Sequence, residues 1–324
     1  MCHNNLDNRK IKKNNLIFVY FLFFFVTSHT ELIVNIMSIW YEKYLAIYGK
    51  PFSEVPNSIV IETQKRLADL QSECPLASIV IIAYNEETHL QACLWAISEI
   101  RCKYPIEIIG VDNDSNDRTA EIFKKSGIPY YKEFRHSCGY ARRCGLQHSK
   151  GKYYIDVDSD TLYPPMYFEL MLEQLMKPGI VAVSASWSYF PDANHSKFGL
   201  KMYELCRDVF LWIQHFKRPE LSVRGLVFAY NADYGRKEKY RVDIIRGEDG
   251  SMALSLKKYG KIRFVRDKRC KAITGYGTIG SQSLWRSFLE HVRIQVKGFS
   301  RVLYKKNRYE DCPENLISRV DDEE

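Results

Sequence analysis

No Cys-x-x-Cys pair occurs among the nine cysteines of this 324-residue chain, which are odd in number and scattered. That spacing offers neither a disulfide framework nor a zinc site, and a reducing cytoplasm is the simplest setting. The eight histidines lack ligand spacing as well. Internal repeats and low-complexity tracts are absent, which excludes solenoids and arrays. After residue 40 no apolar run approaches the roughly 20 residues that a membrane helix needs. No recognised RNA or DNA motif accompanies the basic residues, so nucleic acid is not an expected partner. What is present is ordinary and globular: 46% hydrophobic and 27% charged, enough for one large or two small domains. The formal net charge of +8 suits an anionic partner without choosing which.

The amino end is ambiguous. Arg9, Lys10, Lys12 and Lys13 precede an aromatic-rich apolar run, Leu16 to Val26, that is short for a membrane span and has no small-x-small cleavage site after it. Residues 1–36 are therefore an uncertain extension: a mis-assigned start before Met37, a membrane anchor, or a signal peptide or buried segment. Residues 37–76 read as an N-terminal helical segment, with a polar helix over Ser58 to Glu73.

Ala77 to Ala83 reads ASIVIIA, the continuous apolar run of a strand buried on both faces. Leu90, Cys93, Leu94, Ile97 and Ile100 then recur at helical spacing, and Ile106 to Val111 is a second apolar run. Strand, helix and strand in that order demand a parallel pair. The alternation continues through a helix over Arg118 to Lys125, a strand near Pro129 to Lys132, a helix over Gly139 to His148 and a strand over Tyr153 to Val157. The expected fold is α/β, a doubly wound and mostly parallel sheet flanked by helices, with a helical C-terminal extension. Beyond Pro164 the regularity fades into helices over Met166 to Met176 and Phe198 to Phe216 and a strand over Ile180 to Ser186.

The chemistry-bearing groups fall where these strands end. Asp158-Ser159-Asp160 closes the strand at Val157, and paired carboxylates at the carboxyl edge of a sheet can grip a hard divalent cation that also touches a diphosphate. The loop after the first strand is Tyr84-Asn85-Glu86-Glu87, in which Tyr84 can pack on a nucleobase. The loop after the second, Asp112-Asn113-Asp114-Ser115-Asn116-Asp117-Arg118-Thr119, is crowded with groups that cap a helix or hydrogen-bond a pyrimidine edge. For Asp117 the cap is favoured, whereas Asp112-Asn113 sits too near the strand end for capping alone.

Taken together, these segments resemble the inverting family 2 glycosyltransferases of GT-A fold, from Ser78 to Thr274. Ala83-Tyr84-Asn85-Glu86-Glu87 opens the likeness, and Val111 to Thr119 is similar to the family's V-D-[DN]-x-S-x-D-x-T. Ala141-Arg142-Arg143-Cys144-Gly145 is similar to its A-R-N-x-G, Asp158-Ser159-Asp160 to its D-x-D, and Gly247-Glu248-Asp249 to the acidic motif that supplies a base. Each motif is weak alone; five in the family's order are specific. The resemblance implies a GT-A domain over 77–275, with a nucleotide-binding half (77–163) and an acceptor half (164–275). It implies that Tyr84 and Asn113 contact the nucleobase, with Asn85 in the same nucleotide-sugar loop. Glu86 and Asp112 would shape that pocket. Asp160, helped by Asp158, would bind Mg2+ or Mn2+ and the ribose-diphosphate region, and Arg142 would reach the diphosphate. Asp249 is the implied general base, with Glu248 in support. Arg143 departs from the family's Asn, which leaves the hydrogen bonding there open.

The reaction requires these parts independently. Breaking a sugar-diphosphate bond puts negative charge on the leaving group, which a divalent cation stabilises, and the attacking hydroxyl must give its proton to a carboxylate on the opposite side. The implied partners are a nucleotide-sugar donor, UDP-sugar by default, and a glycan or lipid-linked acceptor. The setting expected is the cytoplasm, at the inner membrane face, in polysaccharide or glycolipid synthesis. Gln282-Ser283-Leu284-Trp285-Arg286 only approximates the Q-x-x-R-W of processive synthases, so single additions are favoured. The alternatives are a sugar-nucleotide nucleotidyltransferase, which usually opens with a Gly-rich loop and a basic residue that this chain lacks, and a non-catalytic nucleotide- or membrane-binding module.

Residues 276–324 read as a glycine loop, a basic amphipathic helix and a tail. Gly275-Tyr276-Gly277-Thr278-Ile279-Gly280 matches the dinucleotide fingerprint, but no second strand with an acidic residue follows, so a loop over the donor or acceptor is the preferred reading. Ser281 to Lys306 interleaves Trp285, Phe288 and Val292 with Arg286, Arg293 and Lys297, a pattern suited to a membrane surface or to packing on its own domain.

Overall fold

The computed structural model describes residues 40–191 and 197–275. Residues 40–46 form a small unit of their own with a 3-10 turn at Glu42–Ala46. The expectations for residues 1–36 and for 276–324 lie outside the described residues.

From Ile47 onward the chain builds a seven-stranded sheet. After α1 (Asn57–Leu70), the strands β1 (Ala77–Ala83) and β2 (Ile106–Asp112) flank α2 (Leu90–Ser98). Next come α3 (Thr119–Ser126), β3 (Tyr130–Lys132), α4 (Cys138–His148) and β4 (Tyr153–Asp158). Every residue of β1 and β2 is buried, as an apolar run in a doubly covered parallel strand must be. Even and odd positions of β1 serve different layers. Ile79 and Ile81 pack with Leu67, Leu94 and Met171, whereas Val80 and Ile82 join the cluster holding Ala141, Met252 and Leu256.

The second half adds the short β5 (Thr161–Leu162), α5 (Tyr167–Leu175), β6 (Ile180–Ala185), β7 (Trp187–Tyr189) and α6 (Lys197–Lys217). It continues with β8 (Phe228–Asn231), α7 (Ala232–Glu238), α8 (Glu248–Leu256), β9 (Lys261–Val265) and β10 (Ala272–Thr274). The main sheet runs β3-β2-β1-β4-β8-β6-β9, and β8 is antiparallel to both of its neighbours. A second sheet of order β5-β10-β7 stands beside it. The mostly parallel α/β sheet agrees with the sequence reading. Strand β8 was not anticipated because its four residues, Phe-Ala-Tyr-Asn, are too few to show a period. Helix α8 begins at Glu248, directly after Gly247, whose left-handed φ of 93° turns the chain into it. Among the described residues, no helix is long and apolar enough to cross a membrane.

Gly145 explains its place in the A-R-x-x-G segment. A β-carbon there would stand 2.4 Å from Val80 Cγ1 and 2.8 Å from the Tyr154 hydroxyl, so only glycine lets α4 lie directly on the sheet. Gly145→Ala is expected to destabilise the protein by about 1–3 kcal/mol in urea unfolding, the usual cost of overpacking.

Candidate active site

Parallel register brings three loops to one sheet edge. Ala83 pairs with Asp112, and Ile82 pairs with Asp158, so the ends of β1, β2 and β4 lie side by side. Along β4 the odd residues Ile155 and Val157 enter the apolar layer, which turns Asp156 and Asp158 toward the opposite face with Tyr154, under α4.

Arg142 of α4 meets them there. Only 2% exposed, it contacts Asp156 Oδ1 through Nη1 and Asp158 Oδ1 through Nη2, both at 2.8 Å. Its Nε lies 2.9 Å from Asp249 Oδ1 and 3.8 Å from Glu248 Oε1. The Asp249 contact is close but poorly aligned, since neither atom completes a hydrogen bond. Asp156 Oδ2 also accepts from the Tyr240 hydroxyl at 2.7 Å. Backbone Gly225 closes the cluster: a β-carbon on it would sit 1.9 Å from Arg142 Nη2 and 2.5 Å from Asp249 Oδ2. One guanidinium cannot neutralise this many carboxylates. Burial would lower the Arg142 pKa, but Asp156, Asp249 and Asp158 hold it above the usual arginine range. Burial raises Asp249 well above an ordinary carboxyl against the pull of Arg142, with Glu248, Asp156 and Asp158 adding to the rise.

Asp160 has no such cation. Its Oδ1 accepts from Thr161 Oγ1 at 3.0 Å, and burial, then Asp158 and Glu86, push its carboxyl up to about 7. Glu86 is paired with His89 Nδ1 at 2.8 Å. Asp160, with Asp158 close enough to raise it, offers carboxylate oxygens of the kind a hard cation takes, so Asp158 and Asp160 fit Mg2+ or Mn2+. Among the described residues, no group of three or more His, Cys, Asp or Glu is placed to hold a metal. The fit is therefore to a cation that brings its remaining ligands with it, as diphosphate-bound Mg2+ does.

The loops after β1 and β2 divide. Tyr84 is half exposed, edge-on to His136 at 5.1 Å. Asp112 is fully buried; its Oδ1 accepts from Ser115 N, and its Oδ2 has no partner. Asn85 adopts a φ of 54° and accepts from Asn116 N at 2.9 Å. Asn113 is fully engaged: Nδ2 donates to the carbonyls of Glu133 and Arg135, and Oδ1 accepts from Ser137 N. In this geometry its amide organises the 133–137 loop and is not turned to a base. Arg142 likewise faces protein carboxylates rather than an open diphosphate site. Asp117 accepts from Thr119 N and from Glu87 N, so it serves the start of α3 and the neighbouring loop.

The family-model comparison finds glycosyl transferase family 2 over residues 78–269. The chain belongs to that family. An uncharacterized glycosyltransferase of Rickettsia prowazekii is 30% identical over 131 residues, covering 39% of this chain and 41% of that protein. Glycosyltransferase AglE of Haloferax volcanii is 27% identical over 124 residues, 36% of this chain and 41% of that one. The matched segments thus span less than half the length of these relatives. Among solved structures, mannosyltransferase PcManGT of Pyrobaculum calidifontis, in complex with GDP-Man and Mn2+, aligns at a TM-score of 0.52 and 14% identity. The alignment covers 84% of this chain and 78% of that one. What is shared at that identity is the GT-A fold.

Some residues of this family 2 site gave no signal in the sequence. Tyr48, 112 residues before Asp160 in the chain, donates to the Asp160 carbonyl at 2.7 Å, and its ring lies 4.7 Å from both His89 and Phe190. Tyr163 Oη accepts from Asp158 N and donates to the Leu226 carbonyl, steadying the turn from the other side. Asp156 did carry a signal: an aspartate inside an apolar strand is costly without a partner, and Arg142 supplies one.

The raised Asp160 has a consequence for stability. Its folded pKa of about 7 exceeds the unfolded value near 4, so the native state binds more protons between those limits. Its contribution to stability is fully present below about pH 4 and lost as pH rises through about 7. In urea titrations without metal, wild type is expected to lose stability relative to Asp160→Asn across that window. Parallel curves would show that the carboxyl titrates normally.

Proposed function

We propose that this chain transfers a single sugar from a nucleotide-activated donor, UDP-sugar by default, to a hydroxyl acceptor with inversion at the anomeric carbon. The observation that carries the reading is the shared guanidinium: Arg142 touches Asp158 of the paired carboxylates and Asp249 at the start of α8. A residue suited to the leaving-group side and one suited to the attacking side are held across one small space.

Asp160 and Asp158 would hold Mg2+ or Mn2+, which when bound stabilises the negative charge developing on the diphosphate. Asp112 Oδ2, buried and unpartnered, is suited to accept a nucleobase N–H, and the exposed Tyr84 ring offers a stacking face. Asp249 takes the acceptor's proton as the oxygen bonds to carbon. Its raised pKa makes it a stronger base than a surface carboxylate, and it must be ionised to act, so the rate rises with pH through that pKa. Arg142 keeps the Asp249 oxygen in place through charge rather than through an aligned hydrogen bond. A glycan or lipid-linked acceptor, in polysaccharide or glycolipid synthesis at the inner membrane face, suits the net charge of +8.

Calorimetry with UDP and GDP, with and without Mn2+, tests the donor half. Metal-dependent binding is expected in wild type and is expected to vanish in Asp160→Ala. Asp249→Asn should keep nucleotide affinity while lowering turnover of the matched donor by about 10²–10⁴, the range for a lost general base. Neither nucleotide binding to folded protein would end the donor-site reading.

A further inference from the structure

Next in the chain to Gly225, which abuts Asp249, is a positive group that the proposed reaction has not used. Arg224 caps the 3-10 turn Gly225–Val227, and the adjoining Gly225 lies so close to the candidate base that a β-carbon there would meet Asp249 Oδ2 at 2.5 Å. Arg224 Nη1 donates to the carbonyls of Leu221 at 3.1 Å and Val223 at 2.6 Å, both neutral groups of the main chain. Those bonds fix the guanidinium through neutral partners, and Asp249 is the carboxylate that acts on its charge. Burial pulls its pKa below the usual arginine value, with Tyr189 and Asp249 opposing and Arg207 adding to the fall.

The neighbouring charges are already matched among themselves. Arg207, 5% exposed on α6, donates to Asp208 and to the Trp187 carbonyl and lies 4.2 Å over the Trp187 ring. Lys271 Nζ sits 2.7 Å from Glu204 and 3.9 Å from Asp208. Glu204 also accepts from Ser188 Oγ and Tyr189 N. Arg207 and Lys271 thus balance Glu204 and Asp208, which leaves Arg224 outside those pairs. A second, independent sign is Arg207 Nη1, buried with no hydrogen-bond partner. A protein seldom buries a guanidinium nitrogen without a partner, as it does Arg207 Nη1, unless an anion or a water completes it.

We infer that Arg224, backed by Arg207, forms a subsite for an anionic group, a phosphate or a carboxylate, carried by the acceptor close to its attacking hydroxyl. The assignment to the acceptor rests on the proposed function, because Asp249 marks the side from which the hydroxyl approaches. The ligand class is a hydroxyl compound bearing phosphate or carboxylate, whether a soluble metabolite or a lipid headgroup.

The test uses the full chain saturated with UDP and Mg2+, so that the donor's diphosphate position is filled. Inorganic phosphate and acetate are titrated in by calorimetry, and binding to phosphatidylcholine vesicles is compared with and without phosphatidic acid. Wild type is expected to bind phosphate or acetate, Arg224→Met to lose at least about tenfold in that affinity, and Arg224→Lys to recover part of it, as a charge contact should. UDP affinity is expected to stay within about twofold, because a residue outside the donor site leaves uniform donor binding intact. Vesicle binding that needs both phosphatidic acid and Arg224 supports the subsite with a lipid source. Loss of phosphate binding alone supports it with a soluble one. The inference is overturned if wild type binds neither anion, if Arg224→Met binds them unchanged, or if UDP affinity falls in parallel, which would make Arg224 a donor-diphosphate residue. Should wild type bind neither UDP nor GDP, the donor-site reading fails separately, and the anion titrations are read on the nucleotide-free protein.

Discussion

A single buried guanidinium orders this molecule's chemistry. Arg142 touches Asp156, Asp158 and Asp249, which come from a central strand and from a helix that follows it by about a hundred residues. A charge taken out of water is tolerated only when partners and hydrogen bonds replace the solvent, and removing one partner leaves the rest stranded. Several features follow from that demand. Gly145 lets α4 approach the sheet closely enough for Arg142 to reach β4, Gly225 leaves room for the guanidinium, and Tyr240 satisfies the remaining oxygen of Asp156.

The same excess of carboxylate separates two kinds of acid. Asp158 is tied to Arg142, whereas Asp160 is backed by its backbone to Tyr48 and by its side chain to Thr161, with Asp158 and Glu86 resisting its charge. A carboxyl raised in this way lacks a cation, which a diphosphate-bound metal would provide. Asp249, by contrast, is raised chiefly by burial, and its charge acts on Arg224 as well as on Arg142.

Much of this was legible before any coordinates. Apolar runs such as ASIVIIA announce doubly buried parallel strands, and parallel strands fix the edge at which Tyr84, Asp112 and Asp158 meet. The acidic segment that opens α8 was legible too, as Gly247-Glu248-Asp249. Side-chain allegiance was not legible. Asn113 looks identical in sequence whether it faces a base or holds the 133–137 loop, and only the loop's return in space decides between them. Tyr48 was invisible for a related reason: a hydroxyl that reaches a carbonyl 112 residues away obeys no spacing rule. Strand β8, four residues long and antiparallel, depends on tertiary pairing rather than on periodicity.

The most direct test of the central role of Arg142 is a double-mutant cycle in urea, with Arg142→Met, Asp156→Asn and the pair. The account expects Arg142→Met alone to cost about 3–5 kcal/mol, as removal of one partner from a buried ion cluster does. It expects Asp156→Asn to cost less, or to stabilise, in the methionine background, because the stranded carboxylate is then gone. Independent, additive effects, or an Arg142→Met protein as stable as wild type, would contradict the claim that this guanidinium holds the site together.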